Sequence, residues 1–340
     1  MKDQIQKIIL PLLLVGAAVV VLVWQHDEKA VYHCHQGYVF GTYYNIRYSS
    51  TKDLEQLVLK TMQDFDNSMS TFNKASTISR INTNQSDTTD LFFEQMYAVA
   101  QEISQLSDGA FDITVAPLVN AWGFGFRNKE KVTPQLIDSL RSIVGYRTIS
   151  IHNHHLVKTN PSTMIDASAI AKGQACDVVA QVLSDNGCKN VLVDIGGEVV
   201  CRGVNDKGEP WRVGITKPQD DPDGSKQELQ EIISTTGLNM ATSGNYRQFY
   251  YDGDVRRSHT IDPRTGYPAE SDILSATIAT TSCMRADALA TACMVLGSDS
   301  ALALINRLPD TECYLICATQ EDSLIIKKTT DFFAHVEKKE

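Results

Sequence analysis

GAFDITVAPLVNAWGFG, residues 109–125, carries three glycines, two phenylalanines and a tryptophan around a single proline. A buried helix avoids an interior proline, which removes a backbone hydrogen bond and clashes with the preceding turn. A plain core strand avoids that density of glycine. The composition therefore predicts a shaped loop, and read by itself it leaves Trp122 and Phe124 as candidate core residues.

Outward from this segment, helix and strand patterns mix. Apolar residues recur at helical spacing over 54–69 and 91–106, the second run closed by Asp108-Gly109. Thr133-Pro134 opens a third helix, and further helical patterns cover 169–183, about 285–296 and the Ile305 region. Strands are predicted at 38–48, 191–195, 199–204, 211–215, 274–280 and 314–318, with a hairpin of 246–251 and 255–259 around Asp252-Gly253. Residues 70–88 read as irregular and 217–231 as an exposed acidic loop. No steady strand–helix–strand rhythm appears, so the fold class is α+β, mixed sheets with packed helices, in one body over 31–340.

Residues 1–30 differ from that body. Lys2 and Lys7 precede an apolar run from Ile8 to Trp24, which spans about 25 Å as a helix and predicts one transmembrane anchor. No small-residue cleavage site follows it, and the basic end predicts a body on the exterior, periplasmic side of the cytoplasmic membrane. A net charge of −10 with no basic run argues against a nucleic-acid partner. The eight cysteines are irregularly spaced, mostly within apolar patterns, and read as free packed thiols. His33-Cys34-His35 looks like a metal tract but lacks a second ligand cluster in the sequence.

Four constellations could carry chemistry. Asp287 and Thr291 stand four apart on a predicted helix among alanines, two hard oxygens suited to Mg²⁺, or else a helix-dipole carboxylate beside a self-bonded threonine. Asp166 to Gly173 (DASAIAKG) ends a strand and opens a helix, an anion-friendly place or simply an N-cap. His259 precedes the turn Asp262-Pro263-Arg264-Thr265-Gly266 and reads as a general base, a ligand contact or a structural histidine. Thr242 to Arg247 and Gly196-Gly197 read as turns where backbone can approach a ligand.

In order, GAFDITVAPLVNAWGFG, DASAIAKG, VLVDIGGEV, TSGNYR, HTIDPRTG and ADALATA resemble the ApbE family of FAD:protein FMN transferases, from about Val39 to Ile316. The resemblance implies binding of FAD with Mg²⁺ and transfer of the FMN moiety to a Thr or Ser hydroxyl of a target protein, with release of AMP. It implies that Trp122, Gly123 and Phe124 lie beside FAD, and that Asp166, Lys172, His259 and Thr260 contact or border it. Ala169, through its main chain, and the side chains of Asp287 and Thr291 become the metal ligands, Asp287 is catalytic, and the base is either His259 or none, the acceptor hydroxyl being polarised by the metal. Phe40 and Phe72 stand at positions that line the FAD site in the family, where it commonly has Met and Tyr, which keeps an apolar surface but loses a thioether and a hydroxyl. The acceptors implied are subunits of sodium-pumping NADH:quinone oxidoreductase or Rnf-type complexes. Alternatives within the same reading are a Mg²⁺-dependent FAD pyrophosphatase giving FMN and AMP, and a flavin-binding carrier without turnover.

Overall fold

The computed structural model describes residues 30–125, 131–218, 228–245, 249–252, 255–319 and 323–330. The predicted anchor lies outside them, and among the described residues no helix is long and apolar enough to cross a membrane.

The first strand pattern proves to be a hairpin. β1 (Val31–Val39) and β2 (Thr42–Ser50) pair antiparallel around Phe40 and Gly41, whose φ angles are +52° and +75°. The aromatic and β-branched pattern of 38–48 predicts a single strand through this point. Two left-handed residues make the turn that suits the twist of paired strands, and Phe40 is held there against its Cβ with its ring edge-on to Phe65, 5.6 Å away.

α1 (Glu55–Met69), α2 (Thr77–Asn82), α3 (Leu91–Leu106), α4 (Ala116–Trp122) and α5 (Pro134–Arg141) follow. α2 corrects the irregular reading of 70–88: it is a six-residue helix capped by Ser76, whose side chain accepts from Ser79 N. α4 corrects the loop expected at 109–125. Pro117 sits in the first turn, where its missing N–H costs nothing, and Gly123 ends the helix at φ +85°. Thr133 caps α5 as expected, accepting from Leu136 N at 3.2 Å.

The short hairpin β3 (Ile149–His152) and β4 (His155–Lys158) leads to α6 (Ala171–Asp185). Then come β5 (Val191–Ile195), β6 (Glu198–Arg202), β7 (Trp211–Thr216), β8 (Leu229–Thr235) and β9 (Gly237–Gly244). β10 (Phe249–Asp252) and β11 (Val255–Ser258) form the expected hairpin, and β12 (Ile273–Thr280), α7 (Cys283–Leu296), α8 (Ser298–Ile305), β13 (Glu312–Ala318) and β14 (Leu324–Lys328) close the chain. Two further readings are corrected. Part of the supposed acidic loop is the start of β8, and Thr242–Gly244 is the end of β9 rather than a turn. Gly196 and Gly197, at φ +69° and +97°, make the tight turn between β5 and β6.

The main sheet has eight strands in the order β1-β2-β5-β6-β9-β12-β13-β14, all antiparallel. One face packs on α1, α3, α6, α7 and α8 in the main core, which includes Ile46, Phe65, Phe93, Val179, Val193, Ile278 and Leu289. β7 and β8 cover the other face, setting Trp211, Val213, Ile215 and Ile233 against Val199, Met240 and Tyr314. α7 is buried over most of its surface, as its run of alanine and large apolar residues requires, and Asp287 is buried with them. All eight cysteines are free and seven are buried, in line with the packed-thiol reading.

Candidate active site

The site is assembled where α6 begins against α7. Ile170, the residue before α6, offers no side-chain cap, so the first N–H groups of the helix need a partner from elsewhere. Asp287 supplies one: its Oδ2 accepts from Gly173 N at 3.0 Å. One turn along α6, Asp177 returns the favour, accepting from Cys283 N and Met284 N of α7, each at 2.9 Å. The two helices therefore cap each other, and glycine at 173 is what lets them meet. A Cβ there would stand 2.3 Å from the Cys283 carbonyl oxygen.

Around Asp287 the charges are densely placed. Lys172 pairs with Glu198, the first residue of β6, which the sequence reading did not single out. Glu198 is 3% exposed and Lys172 32%. Burial pushes the Glu198 carboxyl up to about 7, even against the pull of Lys172. Burial would discharge Lys172, but the Glu198 and Asp287 carboxylates outweigh it and hold the ammonium above its usual range. Asp287 is likewise raised by burial, with Lys172 and the Gly173 N–H pulling back. A glutamate interrupting an apolar run directly after Gly196-Gly197 was the available signal, since a buried acid demands a partner.

Thr291 lies one turn beyond Asp287, and its Oγ1 is 3.1 Å from Ser243 Oγ near the end of β9. Two residues on, Asn245 Oδ1 accepts from Thr260 Oγ1 at 3.0 Å. The end of β9 thus joins the Asp287 cluster to a second, aromatic group. There His259 meets the edge of Phe124 at 6.3 Å between centroids. Trp122 is buried beside Leu118, Ile137 and Ile261, donating from Nε1 to the Gly266 carbonyl at 2.9 Å. Its indole props the 261–268 turn rather than lying open, followed by exposed Gly123 and half-buried Phe124.

Asp166 is buried, with Oδ1 accepting from Ser168 N at 2.8 Å and its own N–H donating to the Ile113 carbonyl at 2.7 Å. No strand ends at Asp166, where the sequence predicts one: Met164 makes only an isolated bridge to Val115. The Asp166 bond adds to that tie to the 109–125 segment, which Asp112 braces from inside by accepting from Tyr146 N at 2.6 Å. Ala169, half-buried, stands just before α6. Phe40 packs on Phe65 and so against the main core, and Phe72 is 82% exposed. Neither makes a contact with the Asp287 cluster or the aromatic group among the described interactions.

Residues 40–315 match the family model described as ApbE family. The chain belongs to the ApbE family. The FAD:protein FMN transferase of Vibrio cholerae is 37% identical over 318 residues, covering 90% of this chain and 91% of that protein. The FAD:protein FMN transferase of Haemophilus influenzae is 31% identical, covering 98% and 100%. The solved flavin transferase ApbE from Vibrio cholerae superimposes with a TM-score of 0.80 at 35% identity, over 90% of this chain and 99% of that one. The α+β architecture is therefore that of the ApbE family, and the Asp287 cluster and the aromatic group both lie inside the matched span.

The Lys172–Glu198 pair gives a stability prediction. Lys172→Met is expected to cost about 2 kcal/mol, below the usual loss for a broken buried pair because Lys172 keeps part of its side chain in water. A carboxyl whose folded pKa lies above its unfolded one favours folding at low pH and loses that contribution as pH rises, here from 4.5 through about 7. Without Lys172 the folded value rises further, so the deficit grows between about pH 5 and about pH 8. Urea unfolding at both pH values checks this, and Lys172→Met with Glu198→Gln should recover most of the loss. An equal deficit at both would show that the pair carries no electrostatic role.

Proposed function

We propose that this chain uses Mg²⁺ to transfer the FMN moiety of FAD to a Thr or Ser hydroxyl of a target protein, releasing AMP. That it is an enzyme of the FAD:protein FMN transferase kind rests on its family and on the activity named for its relatives. The observation that carries the finer reading is the buried Asp287 carboxylate, with one oxygen fixed by Gly173 N and with Lys172 beside it.

The donor set fits the metal. Asp287, Thr291, Ser243 and the Ala169 carbonyl offer only oxygens, the preference of Mg²⁺. Asp287, Thr291 and the Ala169 main chain would hold it, where it supplies charge neutralisation for the FAD pyrophosphate. Lys172 adds a fixed cation on the same side. Gly123, Phe124 and His259 would border the flavin end with Trp122 buried behind them, and Asp166, Thr260, Phe40 and Phe72 complete the FAD contacts in this reading. The acceptor hydroxyl oxygen forms a bond to the FMN-side phosphorus, the bond to the bridging oxygen breaks, and AMP departs with that oxygen. His259 takes the hydroxyl proton.

The apolar run from Ile8 to Trp24 supports a membrane-held enzyme with its body on the exterior face of the cytoplasmic membrane. There it would meet subunits of sodium-pumping NADH:quinone oxidoreductase or Rnf-type complexes as acceptors. The test is chromatography of AMP and FMN from the full chain with FAD and Mg²⁺, with and without an acceptor domain bearing a target threonine. Acceptor-dependent AMP with flavin bound covalently to the acceptor is the expected result. Equal AMP and free FMN regardless of acceptor would replace transfer by pyrophosphatase activity, and FAD binding without either product would leave a carrier.

A further inference from the structure

His33 and His35 alternate with Cys34 along β1, so both imidazoles lie on one face of the strand and the thiol on the other. Register places Tyr48 opposite His33, and both imidazoles pack on its ring, with centroids 5.2 and 5.7 Å away. Beyond β2 the chain folds back over this face with two carboxylates. Asp53 Oδ1 lies 3.2 Å from His35 Nε2, and Glu55 Oε1 lies 3.4 Å from His35 Nδ1. The Tyr48 hydroxyl fixes that return, donating to Asp53 Oδ1 at 3.0 Å and accepting from Leu54 N at 2.7 Å. One nitrogen from each histidine and one Asp53 oxygen all lie within 4.8 Å of one another. The second ligand group that the His33-Cys34-His35 tract lacks in sequence is supplied by the hairpin.

We propose that His33, His35 and Asp53 bind a borderline divalent transition-metal cation such as Zn²⁺, with Glu55 orienting the His35 ring through its other nitrogen and water completing the shell. The site pins the edge hairpin β1–β2 to the start of α1. Two imidazoles and one carboxylate suit Zn²⁺ and its neighbours, whereas the all-oxygen set at Asp287 suits Mg²⁺, so the two sites differ in chemistry. Donors around a tetrahedral Zn²⁺ stand about 3.3 Å apart, so the group must draw inward. Asp53 has that freedom, with its side chain 56% exposed. Cys34 faces away and is no ligand.

The probe is ZnCl₂ titrated by calorimetry into the full chain, stripped with chelator and kept in excess Mg²⁺, in an Asp287→Asn background that disables the other site. One Zn²⁺ per chain is expected, together with a higher thermal midpoint and unchanged binding in Cys34→Ser. His33→Gln with Asp53→Asn should weaken it at least about 100-fold, since even partners outside the first ligand shell contribute 10–100-fold. Co²⁺ in place of Zn²⁺ should show tetrahedral visible bands without a thiolate charge-transfer band. No stoichiometric Zn²⁺ binding, binding that survives the double variant with far-ultraviolet dichroism intact, or loss in Cys34→Ser would each overturn the proposal. His33→Gln alone, at a half-buried position, gives the same reading should the double variant not fold.

Discussion

Asp287→Asn is expected to lower FMN transfer about 1000-fold or more while leaving the fold intact. The amide is close to the carboxylate in shape and keeps an oxygen to accept from Gly173 N, so the contact between α6 and α7 survives. What disappears is the negative charge that would hold Mg²⁺ against the pyrophosphate. Because burial disfavours that charge, its removal should leave thermal stability unchanged or slightly higher. Asp287→Ala separates the two roles: it loses the same activity and also the cap of α6, at a further cost of about 1 kcal/mol. Release of AMP over a range of Mg²⁺ concentrations, beside a thermal melt of each variant, checks both. Asn activity within tenfold of the parent would remove Asp287 from the metal site.

Gly173→Ala carries the second large effect, and it acts through packing. The added methyl would lie 2.3 Å from the Cys283 carbonyl oxygen and 2.9 Å from Asp287 Cβ. Both belong to α7, and the first is backbone, so no side-chain rotation relieves the clash. Alanine is the better helix former by up to about 1 kcal/mol, which offsets part of the cost. Separating the two helices costs about 3 kcal/mol, so destabilisation wins. The same movement draws Gly173 N from Asp287 and should lower transfer by more than the stability loss explains at a temperature where the variant is folded. Urea unfolding and single-temperature rates measure the two parts. A variant as stable as its parent would mean that the helices have slack at this crossing.

Elements with local signals are legible in the amino-acid order alone. Thr133-Pro134 opens α5 because cap and first turn lie within four residues, and the apolar run 191–195 is a strand whatever its neighbours. The spacing of Asp287 and Thr291 is equally local, four residues along α7. Where the reading was corrected, the missing information was a partner distant in the chain. Phe40 is a turn because β1 pairs with β2, and Pro117 is helical because it falls in a first turn that periodicity cannot locate. Thr242 to Gly244 belong to a strand because β12 pairs with them.

Tertiary structure alone decided the charge cluster and the histidine face. Glu198 and Lys172 are 26 residues apart, and Gly173 and Asp287 are 114 apart. His33 and His35 acquire Asp53 only through the β1–β2 register and the return of the chain into α1. Propensity and capping act within one or two turns, so they specify elements. Burial of charge, and the partners that burial requires, act across the sheet and the helix crossing, and these set which side chains meet.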